Sequence, residues 1–333
     1  MYTGRNYPFW QTVSWTKKYI FQFFLIGLIP VLLRKLIPEF DIPLPWLPIS
    51  LVGIAVAFYL GFKNNASYDR LWEARKIWGG IVNDSRTWAM MVRGYVRMNY
   101  VTTQEAHAIQ LRLIKRHLAW LHALRFQLRT KKQWEHTVGA KSDSHAPQTE
   151  ERMLNKLEIV SNYITTEELQ RISKKKNAAT QLLDLQMDDL TALRKSEYIE
   201  DFRHIELGTL LRTFYALQSK CERIKNFPFP RQYASLNIYF VWIFIILLPF
   251  GLVQEFAKFG DPYIWLALPI SVLISWVFHT MEMIGDYSEN PFEGLNNDIP
   301  ITALTRTIEI DMLEMIDYDE IPDGLTAKDN ILM

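Results

Sequence analysis

The sequence predicts an all-α integral membrane protein, with four transmembrane helices that continue into a cytoplasmic helical bundle. Three observations carry that prediction. Residues 43–62, 234–253 and 262–281 are uncharged and mostly apolar, and 19–33 is a shorter stretch of the same kind. About twenty such residues, wound as a helix, cross a hydrocarbon core roughly 30 Å thick. The long segment between the second and third stretches is polar, yet its apolar residues recur at helical spacings. No stretch alternates with period two over any length, so no strand is expected.

The first span, YIFQFFLIGLIPVLL, carries Gln22 and Pro30. The second, PLPWLPISLVGIAVAFYLGF, runs directly into a charged, tryptophan-bearing stretch. Orientation follows from the basic residues. Of the 37 Lys and Arg, 29 lie between Lys63 and Arg231, whereas the links at 34–42 and 254–261 hold only Arg34, Lys35 and Lys258. Lys17 and Lys18 before the first span, with Lys63 and Arg70 after the second, argue the same way, because basic residues near the end of a span stay cytoplasmic. Both termini and the middle segment are therefore expected on the cytoplasmic side of the cell (inner) membrane. No small-residue cleavage pattern follows the first span, so it is not read as a signal peptide.

Residues 63–100 extend the second span as a helix. There Asp69, Arg70, Glu73 and Lys76 are spaced to support one another, and Trp72, Trp78 and Trp88 are expected in a helical core. Residues 103–135 read as helical through Leu111, Leu113, Leu118, Leu121 and Leu124. GAKSDSHAPQT at 139–149 has the composition of an exposed loop. A helix restarts over 151–163, and Thr165 with Glu168 forms a capping box for the next. Lys174–Lys176 reads as a solvated helix end, and helix resumes across 178–225. Thr302 to Met315 is a last amphipathic stretch, and the acidic tail beyond about Tyr318 is expected to be loose. The segments are thus 1–63 (first two spans), 64–232 (cytoplasmic helices), 233–282 (third and fourth spans) and 283–333 (cytoplasmic C-terminal segment).

Catalytic chemistry finds no foothold. His117 and His122 are five apart, off the three- or four-residue spacing that stacks two ligands on one helix face. His204 and His279 stand alone, the latter near the inner end of the last span. There is no glycine-rich phosphate loop, nucleophile elbow, HExxH or paired-cysteine motif. Asp184, Asp188 and Asp189 read as surface charges. The spans lack the buried Asp, Glu, Lys or Arg that a proton-coupled transporter carries at mid-membrane. The single cysteine, Cys221, excludes an internal disulfide. A net charge of +1 points to no nucleic-acid partner. No enzyme activity, cofactor or metal is expected.

Two stripes run side by side along the second span at every fourth position: Gly53, Ala57 and Gly61, and Ile54, Phe58 and Phe62. Small residues four apart let helices approach closely in lipid, where van der Waals packing replaces the hydrophobic drive. The first stripe is therefore expected to be a helix-packing face. The bulky stripe lies about 100° round the helix. In a ring of identical subunits it would face the central axis and form stacked apolar rings that gate by dewetting. Facing lipid, or the protomer's own core, would produce the same pattern.

GFKNNASYDRLWEARKIWGGIVNDSR (61–86), CERIKNFPFPRQY (221–233) and ENPFEGLNNDIPITALTRTIEIDMLE (289–314) resemble the bestrophin family, in its prokaryotic branch. The resemblance covers nearly the whole chain. It implies a homopentamer in membrane lipid, a ring around a central pore that conducts small inorganic ions. It further implies that Ile54, Phe58 and Phe62 form the narrow neck of that pore. A second, cytoplasmic constriction would fall at Ile205, with Leu207 as the alternative. Animal members bind calcium through an acidic run after Asn-Pro-Phe. Here only Glu293 and Asp298 are acidic in that stretch, which puts calcium gating in doubt, since hard cations want several oxygen ligands. Anions such as chloride are the expected permeant ions, with sodium or potassium as the alternative. Glu39, Asp41 and Asp261, if they line the outer mouth, favour cations. A carrier for a small organic solute and a non-conducting membrane scaffold remain the readings from other classes.

Overall fold

The computed structural model describes residues 1–37, 44–96, 102–136 and 156–333. The loop expected at 139–149, and Glu39 and Asp41, lie outside the described residues. The described chain is helical: α1 (Phe9–Leu36), α2 (Trp46–Tyr95), α3 (Thr103–Arg129), α4 (Lys156–Ser161), α5 (Thr166–Ser173), α6 (Ala178–Lys195), α7 (Asp201–Asn226), α8 (Arg231–Ala257), a 3-10 turn (Asp261–Leu266), α9 (Ala267–Ser288) and α10 (Ile301–Met315). Four of these stretches are long and apolar enough to cross a membrane: α1, α2, α8, and α9 with its preceding turn. Among the described residues, extended pairing is limited to isolated bridges at Tyr2–Ile331 and Lys328–Ile331.

Several elements differ in extent from the sequence reading. The first span is 28 residues long, with Pro30 inside the helix. The second span does run on into the charged stretch as expected, as one helix of 50 residues. Helix does not persist across 178–225. It breaks between α6 and α7, where Glu197 adopts φ 62° and the Glu197 and Tyr198 amides donate to the last carbonyls of α6. The tail is not loose at its end: Leu332 N–H donates to Met1 O (2.9 Å) and Ala303 N–H to Met333 O (2.7 Å). The expected Thr165–Glu168 capping box is present, and Thr102–Glu105 forms a second one at the start of α3.

The described residues form two compact units, comprising 1–3, 71–227 and 290–333 in one and 4–70 with 228–289 in the other. In the first, α3 packs against α6, α7 and α10. Trp78 and Trp88 of α2 are fully buried there, while Trp72 is 46% exposed. Trp88, His117, Trp120 and Phe214 form an aromatic nest with ring centroids 4.6–6.3 Å apart. Arg116, buried on α3, donates to Glu168 (2.6 Å) and Asp189 (2.6 Å), tying α5 and α6 to it. In the second unit α1 packs on α8 and α9. A Cβ added at Gly251 of α8 would lie 2.6 Å from Ile49 Cδ1 of α2, so glycine lets the two helices meet there without displacing the Ile49 side chain.

The two buried histidines of α3, His117 and His122, are kept neutral. Burial pushes His117 down to about 3, while its Nε2 lies 2.9 Å from Ser85 Oγ. Burial, aided by the Arg125 and Arg306 charges, holds His122 well below its ordinary value, and neither of its ring nitrogens has a hydrogen-bond partner. The unfolded chain takes up protons on these rings near pH 6.5, and the folded unit does so only at much lower pH. Their contribution to stability is thus fully present above that pH and is lost as pH falls toward the folded-state values. His122→Phe retains the ring stacked on Tyr163 and removes one titration. Thermal unfolding followed by circular dichroism from pH 7.5 to 4.5 is expected to show a shallower loss of stability in the variant, with an unchanged or higher Tm at pH 7.5.

Candidate functional site

In its membrane-spanning half α2 buries Ile49, Gly53, Val56, Leu60, Lys63 and Ser67, a seam at spacings of three and four. Gly53 admits the closest contact: a Cβ there would meet the Phe244 ring of α8 at 2.7 Å. At about 100° per residue, Ile54, Phe58 and Phe62 centre on the opposite side of the helix. They are 67%, 68% and 59% exposed, so the protomer's own core is removed as their environment. The Phe58 and Phe62 rings stand perpendicular with centroids 4.6 Å apart, the edge-to-face arrangement their quadrupoles favour.

The small stripe does not act as one face within the chain. Gly53 is buried, Ala57 is exposed, and a Cβ at Gly61 would meet nothing within 4 Å. The reason is geometric. Four residues turn a helix by about 400°, so each step drifts by about 40° and the three residues do not all meet one neighbour.

A second feature lies beside the neck residues and was missed from sequence. Lys63 Nζ donates to Glu282 Oε1 of α9 at 2.5 Å, with side chains only 2% and 5% exposed, and Asp286 lies 4.0 Å away. Next to it Gly285 lets α9 approach so closely that an added Cβ would fall 2.1 Å from Asn64 Oδ1. Seven residues along, Arg70 Nε donates to the Glu289 carbonyl (2.9 Å), and Glu289 also accepts from Arg231. The readable signal is the matching seven-residue period, Lys63 and Arg70 on α2 against Glu282 on α9 and Glu289 just after its end.

In the other unit, Ile205 and its alternative separate cleanly. Leu207 is fully buried, whereas Ile205 is 62% exposed on α7. Ile205 borders a cavity of about 710 Å³ that His204, Thr209, Arg212 and Tyr215 also line. The acids after Asn-Pro-Phe are occupied by their own chain. Glu293 accepts from Asn290 Nδ2 (2.9 Å) and from His136 N (3.2 Å), and its other oxygen lies 2.9 Å from His136 Nδ1. Asp298 accepts from the Gly294 and Leu295 amides (2.7 and 3.0 Å), and burial raises its pKa to about 7 against the pull of Arg129. Asp261 is paired with Lys35 at 2.5 Å.

The Lys63–Glu282 pair yields a direct expectation. Removing one partner strands a buried charge, at a cost of about 3–5 kcal/mol, whereas replacing both with apolar residues is often neutral or stabilising. Thermal unfolding in detergent should therefore drop sharply for Lys63→Met and for Glu282→Met alone, with recovery in the double variant. Equal losses that simply add in the double variant would contradict the pairing.

Residues 13–314 match the sequence model of a family described as Bacterial/Fungal Bestrophin protein. The voltage-dependent anion channel-forming protein YneE of Escherichia coli (strain K12) is 32% identical over 275 residues, covering 83% of this chain and 78% of its own length. The protein of the same name from Salmonella typhi is 30% identical over 299 residues, covering 90% and 86%. The crystal structure of a bacterial bestrophin homolog from Klebsiella pneumoniae superposes with a TM-score of 0.76 at 24% identity, over 90% of this chain and 98% of that one. The open stripe on α2 therefore sits on the fold of that homolog, and by the family match and these relatives the chain belongs to the bacterial and fungal bestrophin family.

Proposed function

We propose that the chain assembles with identical copies into a five-membered ring in membrane lipid, around a pore whose neck is formed by Ile54, Phe58 and Phe62 of α2. The observation that carries this reading is the bulky apolar stripe left open opposite the seam that α2 buries within its own chain. Repeated around an axis, three such residues make stacked rings that exclude water until they widen. Ala57 and Gly61, open beside the stripe, offer a neighbouring copy of α2 a close approach. Ile205 supplies the cytoplasmic constriction. Cytoplasmic termini and a cytoplasmic middle segment, in the inner membrane, follow from the basic residues flanking the spans. No catalytic role is assigned.

Small monovalent anions such as chloride are the proposed permeant ions. Relatives at about a third identity are named as anion channel-forming proteins, and phenyl edges turned to an axis present positive charge to a passing anion. The charge of Lys63 is cancelled by Glu282, so the neck's selectivity rests on its rings and not on a fixed cation.

Native mass spectrometry in detergent is expected to show five copies of the 39.2 kDa chain, and a dimer as the largest species would refute the ring. In proteoliposomes under paired salt gradients, replacing Ile54, Phe58 and Phe62 together with alanine should raise the current several-fold. The reversal potential of the parent should lie toward the chloride equilibrium value. A cation-side potential would favour sodium or potassium, and an absence of flux would favour a scaffold. A lipid-facing stripe predicts the same current in parent and variant.

A further inference from the structure

Within the membrane-spanning unit, α1, α8 and α9 enclose a groove of about 560 Å³ that the pore reading does not use. Its size lies within the about 300–1,000 Å³ common to ligand clefts. Leu25 and Ile26 of α1 and Ile238 of α8 form apolar walls, and none of the lining side chains is charged. Polar groups interrupt this surface at Gln22 and His279, beside the Tyr19 hydroxyl and the Trp242 indole N–H. His279 is 4% exposed, and both its ring nitrogens lack a hydrogen-bond partner. Tyr19, Phe23 and Trp242 surround it with ring centroids at 4.2, 5.4 and 5.6 Å. None of these rings removes the imidazole's need for a polar partner, and in lipid an unmade hydrogen bond is costlier than in water.

We propose that this groove binds an uncharged membrane amphiphile with a hydroxyl head, its alkyl body along Leu25, Ile26 and Ile238 and its hydroxyl on His279. A neutral imidazole has one N–H donor and one lone-pair acceptor, and a hydroxyl is a partner for either, whichever tautomer is present. Gln22, which also lines the groove, carries an amide that offers the head a second partner. An ionic headgroup would find no counter-charge among the lining residues. A plain hydrocarbon would fill the walls and leave the His279 imidazole unpaired. The site stands independently of the neck assignment.

The test uses the full chain in phosphatidylcholine vesicles containing either diazirine-bearing hexadecanol or diazirine-bearing hexadecane. After photolysis, peptides containing Tyr19–Ile26 and Ile238–Trp242 should carry about fivefold more label from the alcohol than from the alkane, the equivalent of one net hydrogen bond. His279→Phe, which keeps an aromatic ring but no hydrogen-bonding atom, should reduce that excess to the alkane level. So should Leu25→Trp, which fills the groove and leaves His279 intact. Equal labelling of the parent by both probes would overturn the proposal, and needs no variant to fold. Retention of the excess in both variants would overturn it too. Groove peptides unlabelled by either probe would mean that a neighbouring copy of the chain covers the groove, which also refutes it.

Discussion

The structure depends on the two-sidedness of one helix. The membrane-spanning part of α2 buries a seam from Ile49 to Ser67, and helical geometry then dictates which side chains remain open. The seam is specified by close fits, with Gly53 against Phe244 and Gly251 against Ile49. Lipid tails are as apolar as leucine, so burial alone would not choose a face. Shape does. Once Gly53 is committed to α8, the Ile54, Phe58 and Phe62 stripe must face away from its own chain.

Charge reinforces the same choice. Lys63 follows Phe62 directly, yet it lies on the buried side of the helix, paired with Glu282. An ammonium at that depth requires a partner, and the Coulomb gain offsets its desolvation only when the geometry is close. The Arg70–Glu289 contact adds a second tie seven residues along. These links fix the rotation of α2 about its own axis more firmly than apolar packing would, because a slip of one residue would leave buried charges without partners. The neck residues are positioned by groups that face away from them.

The remaining polar chemistry is internal. Glu293 and Asp298, the acids after Asn-Pro-Phe, are engaged by His136, Asn290 and backbone amides of Gly294 and Leu295. Asp189 is held by Arg112 and Arg116, and Asp184 and Asp188 flank Arg171 at 3.4 and 3.5 Å. These carboxylates secure loops and helices in place, and His117 and His122 of α3 belong to the core. His279, like His122, has no hydrogen-bonding partner in its own chain, but it lines a groove of the membrane-spanning unit.

The sequence by itself determined the fold class, the four spans and the periodic stripes of α2. Each follows from local physics: the length of an apolar run, the absence of period-two patterning, and side-chain spacing along a helix. Capping at Thr165 was legible for the same reason, since its partner is three residues away. Tertiary structure alone decided what depends on distant partners. Gly53 packs while Ala57 and Gly61 stay open because Phe244 lies opposite only the first. Trp78 is buried and Trp72 is not, although both are tryptophans on the same helix. The tail end is held by hydrogen bonds to Met1 and Ala303, contacts that no local pattern encodes. Lys63 and Glu282 are 219 residues apart in sequence. Periodicity shows that a residue shares a face with its neighbours, and only the packing of other helices decides whether that face is buried, open or paired.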